Sequence, residues 1–234
     1  MGRIESTYGY LLTKILSLIS PIKKSLKKTE CLVHVYLNNK ALKILLNDGY
    51  IEEFNLFSTY ISNLNKGVVW ADQDFKSSNH FYHPVKRRRL FGRKNAMDLA
   101  LDYHERALKY WSMEKYKKAM FYFGATLHLI QDMTVPQHAN IRLLDNHHQY
   151  EKYVLRTYKS VKEFNIQSGA YILDSVRDYI RFNSRLALKI YKRFQHIEDD
   201  DERFYRISRC SLPLATRTTA GALVLFYKEI NGIY

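Results

Sequence analysis

A chain of 234 residues with 46% hydrophobic content is long enough to bury one substantial core, and no shift in composition marks a second, so a single domain over 1–234 is expected. Its two cysteines, Cys31 and Cys210, lie far apart and outside any CxxC arrangement, which supports neither a disulfide framework nor a thiolate zinc site. The 37 basic residues against 23 acidic ones give a formal charge of +14, a field that attracts phosphates, nucleic acid or an anionic membrane surface without choosing among them.

Helical periodicity runs from end to end and predicts an all-α fold, a compact multi-helix domain with helices over 6–19, 31–48, 51–65, 94–112, 114–134, 147–162, 168–195 and 213–230. The prolines at 21, 84, 136 and 213 fall where segments should stop or bend. In the first helix Leu11, Leu12, Ile15, Leu16, Leu18 and Ile19 form an apolar stripe that packs on the domain or lies on a membrane. Lys14 in its middle and the lack of a small-residue cleavage site argue against a secretory signal, so a cytoplasmic or membrane-peripheral location is expected. The basic cluster Lys23, Lys24, Lys27 and Lys28 completes an amino-terminal segment of helix and linker over 1–30. No stretch reaches eighteen apolar residues, so no transmembrane span is expected.

The longest irregular stretch, 67–92, holds Asp72, His80, His83 and the run Lys86-Arg87-Arg88-Arg89, with Arg93 and Lys94 just beyond it. Long loops inside compact domains often carry function. The acidic run 198–202 reads as a solvated loop between helices.

Chemistry concentrates in 127–151, LHLIQDMTVPQHANIRLLDNHHQYE, where His128, Asp132, His138, His147 and Glu151 are five candidate metal ligands. His128 and Asp132 stand four apart, as do His147 and Glu151, so each pair shares one helix face. Pro136 should break the helix between them and let the loop with His138 fold back. Zinc takes imidazole nitrogen and carboxylate oxygen readily, and two such pairs with a loop histidine suit more than one ion. The spacing to Glu151 selects His147 over His148; His83, His104, His148 and His196 are expected at the surface or in caps. Trp70, Phe81 and Tyr82 are candidates for touching a substrate at the cleft mouth, and Trp111 reads as core.

With Asp72 and His80 added, the ordered set resembles the zinc-dependent phospholipase C family, which includes bacterial phosphatidylcholine-preferring enzymes and clostridial alpha-toxin. The resemblance rests on GVVWAD ending at Asp72, NHFYHP with His80, LHLIQDMTVPQHA, HHQYE, the helix beginning HVYLNNKALKIL at His34, and TTAGALVLFY at 218–227. It implies two to three zinc ions in a cleft of a helical domain. Asp72, His80, His128 and Asp132 would hold the first, His138, His147 and Glu151 the second, and His34 with a bridging Asp132 the third. Asp72 is also the family's candidate general base. The implied activity is hydrolysis of the glycerol-side phosphodiester of a phospholipid, leaving diacylglycerol and a phosphorylated headgroup.

Two departures stand out. The family closes its third site with an amino-terminal tryptophan, and no tryptophan precedes Trp70 here; the interval from Asp72 to His80 is also short. A single-strand-specific zinc nuclease of the related fold is the nearest alternative, and nucleic acid would suit the basic run 86–94. Glu151, where the nucleases are expected to use aspartate, favours lipid. A non-catalytic membrane-associated zinc protein is the third reading.

Overall fold

Residues 20–73 (20–30 as backbone), 80–85, 95–140 and 146–233 are described by the computed structural model. Among them run α1 (Ser20–Asn47), α2 (Ile51–Asp72), α3 (Ala96–Ser112), α4 (Tyr116–Asp132), α5 (Pro136–Asn140), α6 (His147–Thr157), α7 (Val176–Phe194) and α8 (Asp200–Asn231). A 3-10 turn, Lys162–Phe164, lies between α6 and α7, and no strand occurs among the described residues. The predicted helix over 6–19 and the basic run 86–94 lie outside them.

The centre is α4. From Phe123 to Asp132 every residue is buried, which is the signature of a helix enclosed on all sides. It packs on α2, α3, α7 and α8. Phe123 stacks on Phe226 of α8 with ring centroids 4.1 Å apart, and Phe57 of α2 closes the group. The closest approach is between α2 and α4, where Gly67 and Gly124 face the partner backbone. A Cβ on Gly67 would stand 1.8 Å from the Phe121 carbonyl oxygen, and one on Gly124 would stand 2.0 Å from that of Leu64. Gly67 is therefore a helix contact and not the start of a loop. The helix that periodicity ends at residue 65 continues to Asp72, which places this aspartate on a helix end.

Other boundaries move for equally local reasons. Helix α1 begins at Ser20 and not at residue 31, so the segment expected as linker is helical from there. Pro21 falls in its first turn, where a missing N–H costs nothing. Helix α6 stops at Thr157. Helix α7 starts at Val176, where Ser175 accepts from the Asp178 amide; upstream, Gly169 takes φ +88° and the Asp48 carboxylate accepts from the Gly169 and Ala170 amides.

The acidic run expected as a loop is the start of α8. Asp199 caps it by accepting from the Glu202 amide, and Asp200, Asp201 and Glu202 lie in the first turn, where the helix dipole favours negative charge. Pro213 sits inside this helix and does not begin it. The cost of an interior proline, about 3 kcal/mol, is offset by burial of Phe204, Ile207 and Leu212 against Leu37, Tyr150, Tyr153 and Phe164. No helix among the described residues is long and apolar enough to cross a membrane.

Candidate metal centre

Two helix ends meet at the site. Asp72 is the last residue of α2 and Asp132 the last of α4, with His128 one turn before it; the glycine contact that locks α2 to α4 brings the two carboxylates to the same place. Helix α1 supplies His34. His80 arrives on the segment 80–83, which is pinned by Tyr82 donating to the His138 carbonyl at 3.3 Å and by the Ala96 amide donating to Phe81 at 3.3 Å. Pro136 opens α5, which turns His138 back toward α4, and α6 carries His147 and Glu151.

Asp132 is the hub. Its Oδ2 lies 3.0 Å from His80 Nδ1, 3.1 Å from His128 Nε2 and 3.8 Å from His138 Nδ1, and its Oδ1 lies 3.5 Å from His34 Nε2. His128 Nε2 and His80 Nδ1 are 3.2 Å apart. A short step away, His138 Nε2 and His147 Nε2 are 3.1 Å apart, and His147 Nε2 is 3.0 Å from Glu151 Oε1. Three sets result whose ligand atoms all fall within 4.8 Å of one another: His34, His128 and Asp132; Asp72, His80 and His128; His138, His147 and Glu151. All eight candidate residues are thus brought together, with His128 common to two sets.

These distances suit zinc. Ligands at about 2.0–2.2 Å in tetrahedral array stand roughly 3.3–3.5 Å from one another. The buried Asp132 Oδ2 supplies a second test, because it lacks a directed hydrogen bond despite two nitrogens near 3 Å. Among the described residues no lysine or arginine pairs with Asp132. A desolvated carboxylate ringed by imidazoles calls for a cation.

Electrostatics agree with that arrangement. Burial works to raise the Asp132 pKa, yet the neighbouring His128 and His138 hold it well below the usual carboxylate range. Burial likewise opposes ionisation of Asp72, but His128, the Cys31 thiol and His34 outweigh it and the pKa falls. Burial, then His128, lowers His34, and burial foremost pushes His138 down to about 4. For His128, burial lowers the pKa but Asp132 and Asp72 reverse the balance and raise it. Neutral imidazole is the metal-binding form.

Sequence reasoning missed two neighbours of the cluster, Cys31 and Gln131, and expected a third, Phe81, to touch substrate. Cys31, one turn before His34 on α1, donates from Sγ to Asp72 Oδ2 at 3.0 Å. Gln131 accepts from His34 Nδ1 at 2.8 Å. Phe81 lies flat on the His138 ring, centroids 5.0 Å apart and planes 9° from parallel, so it braces that imidazole. Trp70, expected near a substrate, packs among Tyr103, Phe121 and Tyr122. His83 and His104 are buried and not at the surface; His104 sits between Phe123 and Phe226, 2.9 Å from Glu229. His148 and His196 are exposed.

A family model described as zinc dependent phospholipase C matches residues 33–198. Among solved structures the chain is similar to alpha-toxin from Clostridium absonum, with 16% identity, a TM-score of 0.73, and coverage of 86% of this chain and 63% of that one. It is also similar to Clostridium perfringens alpha-toxin isolated from avian strain SWCP, with 17% identity, a TM-score of 0.73, and coverage of 86% and 64%. The chain spans less than two thirds of the length of either toxin structure, and likeness at this identity is likeness of fold. No curated protein matches the sequence.

Proposed function

Because this chain belongs to the zinc-dependent phospholipase C family, we propose that it hydrolyses the glycerol-side phosphodiester of a phospholipid, releasing diacylglycerol and a phosphorylated headgroup. The observation that carries this reading is the convergence of eight histidine and carboxylate side chains from α1, α2, α4, α5, α6 and the segment 80–83 around Asp132. Asp72, His80, His128 and Asp132 would hold a first zinc ion, His138, His147 and Glu151 a second, and His34 with Asp132 a third. Bound zinc would supply Lewis-acid clamping of phosphate oxygens and a water acidic enough to deprotonate near neutral pH.

The chain's own groups have separate tasks. Asp72 is ionised at neutral pH and therefore able to accept a proton, and the Cys31 thiol holds its Oδ2 in place. Phe81 keeps the His138 ring turned toward His147. Burial of Asp132 and His128 keeps water from competing for these groups.

The family's lipid substrate makes an anionic bilayer the partner we infer, and the charge distribution fits it. On α7, Arg177, Arg181, Arg185, Lys189 and Arg193 recur every fourth residue, opposite the buried Val176, Ile180, Asn183 and Ala187. Among the described residues none of the five forms an ion pair, whereas α8 neutralises Arg203 with Asp200 and Arg206 with Glu202. An unneutralised stripe of this kind draws anionic headgroups.

Asp72→Asn tests the catalytic reading. Assayed with zinc in excess to offset the weaker first site, the variant is expected to fold while cleavage of a phosphocholine ester falls by roughly 10²-fold or more. Full activity in that variant would remove Asp72 from the chemistry. A zinc-loaded wild type inert toward both phosphocholine ester and single-stranded DNA would instead favour a non-catalytic zinc protein.

A further inference from the structure

We propose that Gln131 is the positioning residue that prepares His34 for metal, by dictating which of its ring nitrogens carries the proton. The inference rests on the placing of His34 in the metal centre, and its logic starts on α8. The buried Thr219 hydroxyl has one hydrogen, and it donates this to the Ala215 carbonyl at 2.7 Å. Toward any further neighbour Thr219 can only accept. Gln131 Nε2 lies 3.0 Å from Thr219 Oγ1 and 2.8 Å from Asn38 Oδ1, so the two amide hydrogens are both committed. Asn38 is held in turn by donating from Nδ2 to Asn65 Oδ1 at 2.9 Å. A flipped Gln131 would set its carbonyl oxygen against the Thr219 oxygen with no hydrogen between them, and burial makes that arrangement costly.

With its nitrogen fixed on that side, Gln131 presents Oε1 to His34 Nδ1 at 2.8 Å. A carbonyl oxygen only accepts, so Nδ1 carries the hydrogen and Nε2 of the neutral ring carries a lone pair. That lone pair faces Asp132 Oδ1 at 3.5 Å. Two acceptors then confront one another with no proton to share, at a separation close to the roughly 3.3–3.5 Å between neighbouring zinc ligands. Metal-binding histidines characteristically donate their other N–H to such a partner, which fixes the ring and raises its basicity. Here the partner is Gln131, one residue before the Asp132 hub on α4.

The tautomer can be read without zinc or turnover, from two-bond ¹H–¹⁵N correlations of the histidine rings in the chelator-treated full chain, His34 being assigned by its loss in His34→Gln. Wild type is expected to show His34 protonated at Nδ1 and bare at Nε2. Gln131→Leu is expected to release that preference and to weaken zinc at one site by roughly 10–100-fold. Gln131→Met, which keeps the length of the side chain but offers His34 no amide oxygen, is expected to lose the tautomer preference as Gln131→Leu does, which separates the acceptor from packing. A wild-type His34 protonated at Nε2 would overturn the proposal, as would a Gln131→Leu variant with unchanged tautomer and zinc titration. If His34→Gln binds as many zinc ions as wild type, the metal placing of His34 fails while the tautomer assignment stands on its own data.

Discussion

His147 and His148 are adjacent in the chain and opposite in setting, the first 3.0 Å from Glu151 and 3.1 Å from His138, the second exposed. His147→Gln is therefore expected to lower the zinc content by one ion, and His148→Gln to leave it unchanged, as measured by elemental analysis after gel filtration. Equal losses in both variants would contradict this assignment. Which of the two faces Glu151 was legible in the sequence, because i, i+4 spacing fixes a helix face before any tertiary contact is known. Cys31 and Gln131 were not legible, because their contacts with Asp72 and His34 span 41 and 97 residues and no local period encodes them. Phe81 was legible as an aromatic near the site, but only the fold shows that it lies on His138 instead of facing a substrate.

At the scale of elements, Gly67 is the residue whose meaning changed most between chain and fold. A glycine just past a periodic helical segment reads as a helix stop, yet here the absent Cβ lets α2 and α4 touch backbone to backbone. Gly67→Ala should force the helices apart and destabilise the protein by roughly 1–3 kcal/mol, seen as a lower urea midpoint. Wild-type stability in that variant would show that the contact relaxes freely. Pro213 misled in the same way: the breaker signal is local, whereas the apolar cluster that sustains α8 joins residues far apart in the chain. The basic stripe on α7 has its own test. Arg181→Gln/Arg185→Gln/Lys189→Gln is expected to weaken binding to phosphatidylserine-containing vesicles roughly a hundredfold at low salt, while hydrolysis of a soluble ester is unchanged. Lys109→Gln/Lys115→Gln/Lys117→Gln removes the same charge from α3, the α3–α4 turn and the first turn of α4. If it weakens vesicle binding equally, net charge and not the α7 stripe accounts for binding.

Over the whole molecule, the same buried cluster that suits metal makes the metal-free fold acid-sensitive. His138 has a folded pKa of about 4 against an ordinary 6.5, so as pH falls through that window the unfolded chain takes up the proton first and stability drops. His34, also lowered, acts in the same direction, and His128, raised, opposes them. Asp132, depressed, withdraws its own contribution below the ordinary 3.8. The urea midpoint of chelator-treated protein is expected to decline from pH 6.5 toward 4, and a flat profile would contradict this electrostatic account. The all-α architecture was legible because the 3.6-residue period persists along the chain; the packing order around α4 was not, since it follows from close contacts that the period leaves open. The central claim, a zinc-dependent phospholipase C, is tested most directly by elemental analysis of zinc on one sample assayed in parallel with a phosphocholine ester and single-stranded DNA, each with and without chelator. Two to three zinc ions per chain with ester cleavage abolished by chelator is the expected result; cleavage of DNA in place of the ester, or no zinc at all, would contradict it.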